Sequence, residues 1–105
     1  MSYFLCKLIP PRPTFAQDMT ELEIKVMQEH VEYWTALADR GVAIAFGPVA
    51  DPDGAWGVGI LEVDNESDIQ TISAKDPALK SGIGFKFEIY FMPRMVLGKR
   101  AGQTP

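Results

Sequence analysis

Residues 20–41, "TELEIKVMQEHVEYWTALADRG", decide the fold. Thr20 followed three residues later by Glu23 is a capping box, in which each side chain satisfies a backbone N–H at the start of a helix. Apolar residues then recur at Ile24, Met27, Val31, Trp34 and Ala38 with helical spacing. Gly41, just past Asp39 and Arg40, is where such a helix stops. The only histidine of the chain, His30, lies at the border of this stripe, four residues after Val26 and four before Trp34.

Strands flank the helix. On its N-terminal side "SYFLCKLIP" is aromatic and branched, which predicts a strand from about Tyr3 to Ile9 that ends at Pro10-Pro11. Both of its faces are apolar, as expected of a central strand covered on two sides. The loop "PPRPTFAQDM" has three prolines that hold it extended, and it places Arg12 and Phe15 at the strand's C-terminal end. After the helix, "VAIAFGPV" reads as a second strand, and the turn chemistry of "ADPDGA" folds it back as a hairpin. The third strand, "WGVGILEV", puts Trp56, Val58 and Ile60 on one face and Gly57, Gly59 and Leu61 on the other. Two glycines on one face leave room for a close-packed helix or form the floor of a pocket.

"DNESDIQTISAKD" is the second helix, with Asn65 or Asp64 as its cap and Ile69 and Ile72 as a thin apolar stripe. The last strand, "FKFEIYFM", alternates Phe85, Phe87, Ile89 and Phe91 with Lys86, Glu88, Tyr90 and Met92 before Pro93 ends it. The order strand, helix, strand, strand, helix, strand predicts an α+β, ferredoxin-like βαββαβ fold, a four-stranded antiparallel sheet with both helices on one face. Residues 1–97 form one domain in this reading, and 98–105 a polar tail. The second sheet face is too apolar to meet water, so a homodimer through that open face is expected.

Composition narrows the function classes. A chain of 105 residues is too short for separate cofactor and substrate domains, and 47% hydrophobic with 23% charged residues is globular composition. The net charge of -4, with no basic cluster beyond Lys99 and Arg100, argues against nucleic acid. "YFLCKLI" is too short to span a membrane, and the single Cys6 makes no internal disulfide, which suits a reducing cytoplasm. One histidine and no cysteine pair make no common zinc set, so neither metal nor cofactor is expected.

The chain resembles the YciI-like (YCII-related) family from its first strand to about Pro93. The likeness is carried by His30 within "QEHVEYWTAL", Gly41 closing that helix, Gly47-Pro48 after the second strand and Asp76-Pro77 after the second helix. The opening "LIPPRPTFAQDMT" is similar to a subgroup with an Arg-Pro loop before the helix. The resemblance implies a dimeric ferredoxin-like α+β barrel. It also implies a His-Asp pair, here His30 and Asp76, suspected of being the active site. Muconolactone isomerase and other dimeric barrels that act on small ring compounds without a metal share the fold, by analogy alone.

Each candidate has an ordinary reading beside the functional one. A lone histidine on a helix stripe is usually half-buried with one nitrogen satisfied. If a carboxylate holds that nitrogen, the other is free as a general base or acid near neutral pH. Asp76 before Pro77 is also the grammar of an N-cap for a short turn through "PALKS". Arg12 can bind an anionic substrate group through its planar fork, although a loop arginine is more often solvated. Phe15, Gly47 and Pro48 complete the substrate-binding candidates, while Tyr33 and Trp34 read as packing and Cys6 as an inert buried thiol. The leading expectation is a homodimeric, cofactor-free enzyme using His30 and Asp76 for proton transfer on a small organic molecule, by isomerisation or elimination. Its rival is a non-catalytic dimeric module that uses the same cleft for binding or interaction.

Overall fold

The computed structural model describes residues 1–99. Eight elements follow one another: β1 (Ser2–Ile9), α1 (Phe15–Asp18), α2 (Glu21–Asp39), β2 (Ala43–Val49), β3 (Trp56–Val63), α3 (Ser67–Lys75), α4 (Pro77–Lys80) and β4 (Lys86–Met92). The strands make one antiparallel sheet in the order β2-β3-β1-β4, with β1 between β3 and β4. The expected polar tail falls outside the described residues from position 100 onward.

The closed α+β barrel expected from the resemblance is not what the chain forms. Among the described residues the sheet is open, with β2 and β4 at opposite edges and no pairing between them. Four strands of seven or eight residues are too few to curl round and enclose a filled interior, which takes about eight strands. The fold is α+β with an open four-stranded antiparallel sheet.

Register decides which row faces the helices. Phe4, Cys6 and Leu8 of β1 stand opposite Leu61, Gly59 and Gly57 of β3 and Phe91, Ile89 and Phe87 of β4. Apart from Phe91, which is exposed, these rows form the covered face, with Leu61, Val63, Trp34, Leu37 and Ile69 packed around Phe4 and Cys6. A second cluster joins Leu8 and Phe85 to Phe15, Val26 and Ala78. The other face carries Leu5, Ile60 and Tyr90 in line across β1, β3 and β4, with Lys7 lying over the Trp56 ring at 4.6 Å.

The long helix matches its sequence signals at both ends: the Thr20 capping box is formed, and Gly41 follows the C-cap at φ 76°. Its buried face, however, is rotated one residue from the apolar stripe. Glu23, Val26, His30, Trp34 and Leu37 point inward, whereas Ile24 and Val31 are 45% and 47% exposed. Two polar side chains lie on the buried face because each has a partner there. Helix α3, the second of the two helices expected, begins at Ser67 without a side-chain cap from Asp64 or Asn65, and Asp68 instead accepts the Asn65 N–H.

Candidate functional site

Asp76 occupies the junction between α3 and α4 in extended conformation, with Pro77 at the first position of α4. Its Oδ1 accepts the Ala78 N–H at 2.8 Å, which is the N-cap legible in the sequence. The same carboxylate takes two further donors from α2. His30 Nδ1 lies 2.9 Å from both oxygens, and the Trp34 indole N–H donates to Oδ2 at 2.7 Å. His30 and Trp34 are one helical turn apart on one face, so a single acceptor beside α2 meets both. Asp76 is 0% exposed. A carboxylate so far from water is tolerable because donors surround it.

A carboxylate accepts only, so the imidazole presents Nδ1–H to it and leaves the lone pair on Nε2. The ring's hydrogen bonds run from Nδ1 alone, and among the described residues no buried side-chain nitrogen or oxygen is unpaired. Nε2 is therefore open. His30 lines a cavity of about 250 Å³ between α2 and the sheet, and Asp76 does not. The pair is thus split between a sealed carboxylate and an imidazole edge that a small molecule can reach.

The cavity takes wall residues from both core clusters, including Leu8, Phe15, Trp34, Phe85 and Phe87. Gly59 forms its floor beneath Trp34, and the exposed Ala16, Val31 and Pro48 mark its mouth. Phe15, Gly47 and Pro48 are therefore brought together with His30. Cys6 also reaches the floor, but burial pushes its thiol up to about 11, which keeps it protonated and unreactive at neutral pH. No group of three His, Cys, Asp or Glu side chains is placed to hold a metal among the described residues.

Arg12 stands elsewhere. Its Nη1 and Nη2 donate to Glu23 Oε2 and Oε1 at 2.8 Å, and its Nε donates to Asp18 Oδ1 at 2.7 Å. It lies over the Phe15 ring at 5.3 Å yet is not on the cavity wall. These bonds brace α1 against the start of α2, since Glu23 Oε1 also accepts the Thr20 N–H of the capping box. Trp34 packs in the core as the sequence reading has it, and what that reading lacked is its bond to Asp76. The signal was its position four residues after His30.

The Arg12 guanidinium, then the Thr20 N–H, bring Glu23 down to about 2 from an ordinary 4.5. A carboxyl depressed in the folded state contributes stability that is present above about 4.5 and lost as the pH falls toward about 2. In Arg12→Ala the depression shrinks, so acid unfolding followed by far-ultraviolet circular dichroism is expected to begin at higher pH than in the parent. Coincident acid transitions would refute the coupling.

The family model described as YCII-related domain matches residues 3–93. The search of curated proteins gives no match. Among solved structures, the chain is similar to the 5-chloro-2-hydroxyhydroquinone dehydrochlorinase of Burkholderia phenoliruptrix AC1100, solved in complex with 2,5-dihydroxybenzoquinone. The TM-score is 0.59 at 18% identity, over 90% of this chain and 95% of that one. At that identity the likeness is one of fold.

Proposed function

We propose an acid/base function for this chain, which belongs to the YCII-related domain family: His30, held through Nδ1 by Asp76, moves a proton at Nε2 on a small organic molecule in the cavity. The observation that carries this reading is the free Nε2 edge on the wall of an apolar cavity, backed by a carboxylate that water does not reach. Nε2 takes the substrate's proton, and Asp76 stabilises the imidazolium that forms. Returning that proton to another atom of the substrate completes an isomerisation. Releasing a leaving group from the deprotonated substrate completes an elimination. Neither route calls on a cofactor. The dehydrochlorinase of the same fold, solved with a one-ring quinone, supports a ring-sized ligand and the eliminating branch.

The test is a panel of small ring compounds, chlorinated hydroxyhydroquinones among them, followed by chloride release and by ultraviolet absorbance. His30→Gln is expected to lower the rate by about 100-fold or more, the usual worth of a general base, while the ligand still binds. A variant as active as the parent would sink the proposal. Binding without turnover by the parent would favour the non-catalytic module.

The uncovered face, with Leu5, Ile60 and Tyr90 in line and Tyr90 53% exposed, supports a second copy of the chain as its partner. Sedimentation is expected to give a dimer at micromolar concentration and a monomer for Ile60→Asp, and a monomeric parent would refute it. The lone buried Cys6 supports a reducing, cytoplasmic setting. Among the described residues no helix is long and apolar enough to cross a membrane.

A further inference from the structure

We infer that the cavity takes an uncharged molecule of one planar ring bearing a weakly acidic hydroxyl, an inference that rests on the acid/base reading for its polar contact alone. Size comes first. A cavity of about 150 Å³ holds benzene, so about 250 Å³ accommodates one ring with a few substituents. Shape points the same way, because Phe15, Trp34, Phe46, Phe85 and Phe87 all line it. Flat surfaces of this kind stack on, or meet edge-on, another ring.

Charge is the sharper constraint. No Lys, Arg, Asp or Glu is among the lining residues, and His30 and Cys6 are the titratable side chains there. The cation that the loop brings nearest, Arg12, is occupied by Glu23 and Asp18. The Trp34 N–H is committed to Asp76, and the Tyr33 hydroxyl behind α2 donates to the Ile72 carbonyl. A carboxylate or phosphate entering here would shed its water and find no cation among the lining residues, since Lys7 lies over the Trp56 ring from the other sheet face, and the Asp76 charge behind the imidazole opposes it. A neutral hydroxyl instead donates to the open Nε2 lone pair. In the step that follows, the O–H bond breaks, the proton bonds to Nε2, and the electron pair stays on the ligand oxygen beside the new imidazolium.

The probes are 4-nitrophenol, which is yellow only when ionised, its methyl ether 4-nitroanisole, and 4-nitrobenzoate, a permanent anion with the same ring. They are titrated into the whole chain in buffer one pH unit below the phenol's own ionisation. The expected result is that the phenol and the ether bind, 4-nitrobenzoate binds at least ten-fold more weakly, and the bound phenol turns yellow in the parent and not in His30→Gln. Circular dichroism checks that the variant is folded. Benzoate binding as tight as the phenol's, or no binding of phenol and ether, overturns the inference. A phenol that binds and stays colourless supports the size and charge class, and counts instead against proton transfer at His30.

Discussion

Asp76→Asn is expected to destabilise the protein by about 2–4 kcal/mol, the range for a buried charged hydrogen-bond acceptor that loses partners. The parent carboxylate serves the Ala78 N–H, the Trp34 indole N–H and His30 Nδ1 together. An amide keeps the shape and only one acceptor. Whichever way it turns, its NH₂ opposes either the Ala78 N–H or the Trp34 N–H, donor against donor. Removing a buried charge returns some desolvation energy, which holds the loss below that of Asp76→Ala, where all three donors are orphaned. For a domain of this size about 4–8 °C of melting temperature goes with each kcal/mol, so thermal unfolding is expected to shift by roughly 10 °C or more. Nitrogen-15 spectra of the single imidazole give a second readout, with the proton fixed on Nδ1 in the neutral parent and no longer fixed there in the variant. A parent-like midpoint would mean that these donors find other partners.

The parts legible in the sequence are those set by local chemistry. Thr20 with Glu23, the Pro-Asp-Gly turn, the alternation of β3 and the Asp76-Pro77 cap each act within a few residues, and each is where the spacing puts it. The rotation of α2 was not legible, because hydropathy assigns Glu23 and His30 to water. Only their partners, Arg12 at a separation of eleven residues and Asp76 at forty-six, draw them inward. His30 and Asp76 were brought together beforehand by resemblance and not by spacing. Arg12 shows the opposite case: three carboxylates, Asp18, Glu21 and Glu23, follow it within eleven residues, and two of them take its guanidinium. The closed barrel likewise came from the resemblance and not from the strands, since four strands of seven or eight residues are too few to close a ring.

The glycines of β3 were read as room for a helix or as a pocket floor, and at Gly59 the two are the same thing. Its missing Cβ is filled by the six-membered ring of Trp34, so closely that a methyl group there would overlap ring carbons Cζ3 and Cη2. Trp34 is 3% exposed, flanked by Phe46 and Phe87 with ring centroids 5.9 Å and 6.4 Å away, and its N–H is tied to Asp76. The cavity that the indole lines is free space into which it can retreat, at the expense of that hydrogen bond. Gly59→Ala is therefore expected to cost about 3 kcal/mol or more, overpacking and a lost bond to a charged acceptor together. It is also expected to abolish ligand binding, because the displaced ring fills the cavity. The same substitution made in Trp34→Leu should cost far less, since contacting residues are not additive. Denaturant unfolding of the four proteins in that cycle decides the matter: an equal cost of Gly59→Ala in both backgrounds would show that the floor of the cavity is not set by the indole lying on it.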